Sequence, residues 1–178
     1  MKALRIGDQA PGFQLPGVDG RTHGFEDFAK KPVLVIVFSC NHCPYVQAYE
    51  DRMISIQRDY QPRGVQFVAI NSNDDVNYPE DGFNAMVERA TTKAFNFPYL
   101  RDATQEVAKA YGATHTPQLY VFDHDRTLRY TGKIDDNWQN PGAVKRQYLR
   151  EAMDALLQGA APAEAETHAI GCTIKWAG

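Results

Sequence analysis

Cysteine is scarce in this 178-residue chain, and the three present, Cys40, Cys43 and Cys172, cannot build a disulfide framework. Long hydrophobic runs are missing as well. The longest, Val33 to Phe38, is far too short to cross a bilayer, so no membrane partner is expected. Met1 to Leu15 lacks the apolar stretch of a secretory signal, which makes the cytoplasm the expected setting. Neither sign of charge dominates. A formal net charge of -3, with no basic cluster and no basic stripe interleaved with aromatics, gives no electrostatic reason to expect nucleic acid as a partner. Repeats, low-complexity stretches and internal linkers are absent from residues 1–158.

What is present is an alternation of strand and helix patterns in one α/β domain, residues 1–160, followed by a tail, residues 161–178. Phe13–Leu15 and Arg21–His23, joined by Gly17-Val-Asp-Gly20, predict a small hairpin. Val33–Phe38 is continuous and β-branched, the pattern of a central strand covered on both faces. Tyr45, Tyr49, Met53, Ile56 and Tyr60 recur at helical spacing, with Glu50, Asp51, Arg58 and Asp59 off the stripe. Val65–Ile70 predicts the next strand, and residues 83–94 a second helix after a polar segment. Asp102 is placed to cap a helix running to Gly112, with Gln105 as its capping-box partner. Two strands flank a turn at His124-Asp125-Arg126, and a last helix is expected over 143–158. The tail ends in Ile170-Gly-Cys-Thr-Ile-Lys-Trp176, apolar enough that it should dock on the domain.

Cys40-Asn-His-Cys43-Pro44 falls at the junction of the buried strand and the amphipathic helix. Backbone N–H groups at a helix start are unpaired, and the dipole there favours negative charge, so a thiolate is stabilised. Pro44 fits because first-turn N–H groups have no intrahelical partner to lose. The spacing lets Cys40 attack a disulfide as the nucleophile and Cys43 resolve the mixed disulfide. Asn41 and His42, the pair between them, tune the couple, and a charged His42 should make it more oxidising. No cofactor is needed for this exchange. Two other readings stand beside it: an inert pair, and half of a zinc or copper site completed by His168 and Cys172 or by His115.

Three separated stretches go beyond the pair. They are Gly7-Asp-Gln-Ala-Pro11 with Phe13, Leu15 and Asp19-Gly20; Cys40 to Pro44; and Pro98–Asp102, Glu106–Gly112 and Thr116–Asp123. Together they resemble the thioredoxin superfamily, and more closely its peroxiredoxin-like (AhpC/TSA-like) branch with a C-x-x-C. Asn71–Asp74, Tyr78–Asp81 and Gly171–Lys175 are similar to features of the same branch. The resemblance implies a thioredoxin-like fold: a mixed central sheet flanked by helices, with an N-terminal hairpin and an inserted loop and helix around residues 71–94. It implies a cis bond at Thr116-Pro117, opposite the cysteines, where the backbone would pair with substrate. It also implies a protein or small-molecule disulfide substrate and a thiol reductant as partners.

Departures narrow the resemblance. Phe38-Ser39 replaces the tryptophan that usually precedes the first cysteine. Leu34 stands where thioredoxin keeps a buried acid, leaving Asp74 or Asp75 as substitutes. In peroxiredoxin terms Cys43 takes the peroxidatic position, but Ile36 replaces a proline and no arginine accompanies Thr116-Pro117-Gln118 to stabilise a leaving oxygen. Peroxide reduction is therefore the alternative activity. Cys172 is a possible third thiol that pairs with or protects the other two, or else a small hydrophobe in a docked tail.

Overall fold

The computed structural model describes residues 3–178; Met1 and Lys2, which open the segment read for a signal, lie outside the described residues. A hairpin opens the domain, β1 (Gln14–Pro16) against β2 (Thr22–Gly24), with Leu15 opposite His23. β3 (Val33–Phe38) follows, then α1 (Pro44–Tyr60), β4 (Val65–Asn71), α2 (Phe83–Lys93), β5 (Tyr99–Arg101) and α3 (Glu106–Tyr111). β6 (His115–Thr116), β7 (Gln118–Phe122), β8 (Leu128–Gly132), α4 (Tyr148–Leu157) and β9 (Cys172–Thr173) complete the chain. The main sheet runs β5-β4-β3-β7-β8, parallel from β3 to β5 and antiparallel from β3 to β8. This is the mixed central sheet that the resemblance implies, with the inserted loop and α2 between β4 and β5.

β3 is the centre of that sheet, and its six residues are all buried. Side chains of a strand alternate between faces. Val33, Val35 and Val37 pack with Tyr49, Met53, Ile56 and Tyr60 of α1 and with Leu149, Ala152 and Met153 of α4. Leu34, Ile36 and Phe38 pack on the other face with Leu15, Val107, Ala108, Tyr111 and the tail residue Ile174. Each such side chain contributes roughly 1.5–3 kcal/mol when fully buried. β3 is thereby fixed, and so is the point where it releases the chain to the cysteines.

Four local expectations need correction. Tyr45 is only half-buried, and its ring packs at a tilt against Trp138; Val46 replaces it in the interior. Glu50, expected off the apolar stripe, is fully buried because Arg89 of α2 reaches it as an ion pair. The helix expected from 143 begins at Tyr148, since Asp136 holds the preceding residues through Lys145 N and the Arg146 carbonyl. Asp102 does cap α3, accepting from Val107 N (3.3 Å) and Ala108 N (3.0 Å). Gln105 is not its capping-box partner. It adopts φ +65° just ahead of α3, and its amide instead donates to the Ser72 and Lys175 carbonyls. No helix among the described residues is long and apolar enough to cross a membrane.

Candidate active site

β3 continues its pairing for one residue, Ser39 N donating to Ile70 O (2.8 Å), before the chain turns into α1. Cys43 is the N-cap of that 17-residue helix, in extended conformation, and Pro44 is its first helical residue. The thiol therefore lies where the helix's free N–H groups point. Cys40 and Cys43 are each 2% exposed, and with Val46 they form a small cluster against Tyr45 and Cys172. Across from them the Thr116-Pro117 bond is cis, as the resemblance implies. Thr116 touches both sulfurs: its Oγ1 lies 3.5 Å from Cys40 Sγ, and its carbonyl oxygen 3.6 Å from Cys43 Sγ.

The two thiols are electrostatically unequal. Cys43 is pulled down to about 4, first by the hydrogen bond from Cys40 and against the effect of burial, with the Cys172 thiol and the Val46 and Cys172 backbone contributing. Cys40 is pushed up far beyond the ordinary thiol range by the same contact with Cys43 and by burial, and the negative charge of Asp81 adds to this. The first proton of the pair thus leaves from the N-cap sulfur of Cys43, and Cys40 keeps its own. The sequence assigns the thiolate to Cys40; the placement of Cys43 as N-cap favours the reverse.

A buried carboxylate fixes the loop that carries the pair. Asp81 is fully buried, and it accepts from Asn41 N (2.7 Å), Asn71 Nδ2 (3.2 Å) and Asn73 Nδ2 (3.0 Å). Asn41 also takes the Tyr99 hydroxyl (2.8 Å) on its side-chain oxygen, donates to Glu80 O (2.8 Å) and accepts Gln47 on its carbonyl (3.0 Å). Burial pushes the Tyr99 phenol well up, with the Cys40 and Asp81 charges adding, so it stays protonated and can donate. Every polar group of Asn41 is engaged, and it sits between the cysteines as a rigid spacer.

His42 is engaged by two carboxylates. Its Nδ1 is 3.1 Å from Asp81 and its Nε2 3.3 Å from Glu80, and the ring stacks on Tyr78. His115 Nδ1 and the Thr114 hydroxyl share a hydrogen bond (2.8 Å). Asp74 and Asp75 do not replace the missing acid at position 34. Asp74 closes its own turn on Val76 N and Asn77, and Asp75 pairs with Arg101. Asp81 holds the buried position instead. The polar stretch from Asn71 to Asp81 carried that signal in the sequence, but nothing in its spacing distinguishes a buried carboxylate from solvated ones. Among the described residues, the one group of three metal-ligating side chains within 4.8 Å is Asp123-His124-Asp125, at the β7–β8 turn away from the cysteines.

Known proteins agree with this architecture. A solved structure of an uncharacterized conserved protein from Geobacillus kaustophilus superposes with a TM-score of 0.92 at 46% identity, covering 97% of this chain and 93% of that one. Peroxidoxin BcpB from Mycobacterium tuberculosis, at 19% identity, shares the fold with a TM-score of 0.61 over 72% of this chain and 84% of its own. The thiol-disulfide oxidoreductase ResA of Geobacillus thermodenitrificans is 28% identical over 129 residues, 71% of this chain and 68% of that protein. Residues 6–131 match the AhpC/TSA family, from the opening segment through the dithiol and the cis-proline to β8, and the chain belongs to that family.

Proposed function

We infer that the chain is a thiol–disulfide oxidoreductase whose working couple is Cys40 and Cys43. One observation carries the reading: two adjacent thiols at a helix N-terminus, both in contact with Thr116 ahead of a cis-proline, share their protons unequally. A low thiol pKa beside a protonated partner is what dithiol exchange requires. The ResA relatives, named for the same activity, support it.

In the reducing direction the Cys43 thiolate attacks one sulfur of a substrate disulfide and expels the other as a thiolate. Cys40 then loses its proton and attacks Cys43, expelling the second substrate thiolate and leaving the Cys40–Cys43 disulfide. A thiol reductant restores the dithiol. Thr116 and Pro117 line the approach to both sulfurs, while Asn41, held by Asp81, and His42, between Glu80 and Asp81, set the loop that spaces them. The substrate class is a protein or small-molecule disulfide. The setting that suits this cycle is the cytoplasm, where thiol pools hold such pairs reduced.

The test is disulfide turnover with insulin as probe, together with trapping. Cys43→Ser and the double variant Cys40→Ser/Cys172→Ser each abolish turnover, and the double variant accumulates the substrate linked to Cys43. Sustained turnover by either variant contradicts the couple, and a trapped link only in Cys43→Ser contradicts the order of roles.

Peroxide reduction by Cys43 is the second reading, favoured by its N-cap thiolate and by the family. The buried Arg101 does not supply the missing guanidinium, since it donates to the Asn71 and Asn73 carbonyls. Rapid Cys43-dependent peroxide consumption would establish this reading, along with an antioxidant role. A rate no faster than that of a free thiol excludes it.

A further inference from the structure

The tail returns to the dithiol along a path held at both ends. Upstream, Thr167 N donates to Thr131 O (3.0 Å) and its Oγ1 accepts from Lys133 N (2.9 Å). Downstream, Ile174 is buried and its N–H donates to Thr114 O (2.9 Å). Lys175 donates from its N–H to Asn73 Oδ1 (2.9 Å), and its carbonyl accepts from Asp74 N (2.7 Å) and Gln105 Nε2 (2.9 Å). Between these clamps, β9 pairs antiparallel with β6 and puts Cys172 opposite Thr116, the residue that touches both sulfurs of the couple.

The approach at that point is as close as backbone allows. A Cβ on Gly171 would lie 2.0 Å from Thr116 O and 2.7 Å from its carbonyl carbon, and neither atom can yield without moving the cis-proline turn. The fit brings Cys172 into the cluster of Cys40, Cys43 and Val46. Cys43 is the middle sulfur, interacting with Cys40 on one side and Cys172 on the other, and the three sulfurs are not all within 4.8 Å of one another.

We propose that Cys172 is a third redox thiol of this site, which exchanges with the oxidised couple to form a Cys43–Cys172 disulfide. The proposal rests on the reading of Cys40 and Cys43 as a dithiol couple. Cys172 gives up its proton and its sulfur attacks that of Cys43. The Cys43–Cys172 bond forms as the Cys40–Cys43 bond breaks, and Cys40 leaves with the electron pair and takes up a proton. There is no net oxidation, so the step needs no co-reactant and runs in both directions.

Two consequences follow for the cycle. The exchanged form pins β9 over the site, and a substrate disulfide must displace this strand to reach Cys43. Cys172 is also only partly buried, unlike the other two, and is the sulfur that an external thiol reductant reaches first. Attack there gives a mixed disulfide on Cys172 and frees Cys43; a second reductant thiol then releases Cys172. Burial, with Cys43 beside it, pushes the Cys172 thiol up to about 11, so in the reduced protein it stays protonated and leaves the first attack to Cys43.

The experiment is disulfide mapping of the full chain after equilibration with oxidised glutathione, acid quenching and alkylation. In Cys40→Ser, the glutathione adduct on Cys43 is resolved internally and the Cys43–Cys172 link accumulates. The wild type shows both this link and Cys40–Cys43. Cys43→Ser loses both, with no Cys40–Cys172 link in their place, and Gly171→Ala keeps Cys40–Cys43 while losing Cys43–Cys172. A stable glutathione adduct in Cys40→Ser, or an undiminished Cys43–Cys172 link in Gly171→Ala, overturns the proposal and leaves the couple standing. A Cys172→Ser chain that never forms Cys40–Cys43 overturns the couple itself.

Discussion

The two walls of the dithiol site are made of different materials. On the side of the β4–α2 segment, Asp81, Asn71, Asn73, Tyr99 and Asn41 form a buried network with its donors and acceptors matched. On the tail side, a two-residue strand, one buried isoleucine and a few hydrogen bonds, among them those of Asn73 and Gln105 to Lys175, do the holding. A matched polar network is expensive to open, because each group left bare in the interior costs its full desolvation. A short strand pair with one apolar anchor can release with far less loss. The first wall keeps Cys40 deep and protonated. The second lies against Cys43, the sulfur proposed to meet substrate.

Replacing Asp81 breaks the first wall and has the largest expected effect. Asp81→Ala strands three amide donors, for a loss of about 3–5 kcal/mol on the scale of a broken buried charged network. The denaturant midpoint reads it. Asp81→Asn loses less, and because the Asp81 charge helps hold the Cys40 proton, the second proton of the pair then leaves at lower pH. Equal midpoints for Asp81→Ala and wild type would erase the distinction between the walls.

Ile174→Ala tests the second wall. Truncating this buried side chain costs about 2 kcal/mol or more, and the cost falls on tail docking. Amide exchange at Ile174, Lys175 and Ala177 should accelerate while β3 and β4 stay protected. Equal acceleration in β3 would mean that the tail belongs to the same cooperative unit as the core.

A pH dependence of stability separates the sulfurs. The Cys43 thiol is lower in the folded protein, about 4, than the 9.0 of an ordinary thiol. Its contribution to stability is complete above about 9 and fades as pH falls towards 4. Cys40 and Cys172 are raised, so their contributions are complete below about 9 and fade as pH rises, for Cys172 towards 11. Denaturant midpoints of the reduced protein therefore peak near 9 in their thiol-dependent part, and Cys43→Ser loses the acid limb. An unchanged acid limb in that variant would place the thiolate elsewhere.

Much of the first wall's frame was legible in the sequence. Six apolar residues from Val33, four of them β-branched, allow little but a central strand, and Cys40 to Pro44 soon after it marks the strand-to-helix turn. Thr116-Pro117 was legible only through family resemblance, since an isolated X-Pro does not declare its isomer. Asp81 was hidden because burial of a carboxylate depends on which loops fold over it. The N-cap placement of Cys43 was hidden for a similar reason: the spacing puts both cysteines near a helix start, and only the backbone shows which of them is the cap. Gln105 misled because its spacing from Asp102 mimics a capping box, while its side chain serves the tail, 70 residues away in sequence.

The reduction potential of the Cys40–Cys43 pair, measured against glutathione redox buffers in Cys172→Ser so that only this couple responds, tests the central claim most directly. A thiolate stabilised at Cys43 favours the reduced form, so the potential should lie well above the about -270 mV of thioredoxin. A value at or below that figure, or no disulfide between Cys40 and Cys43 at any buffer ratio, would contradict the account.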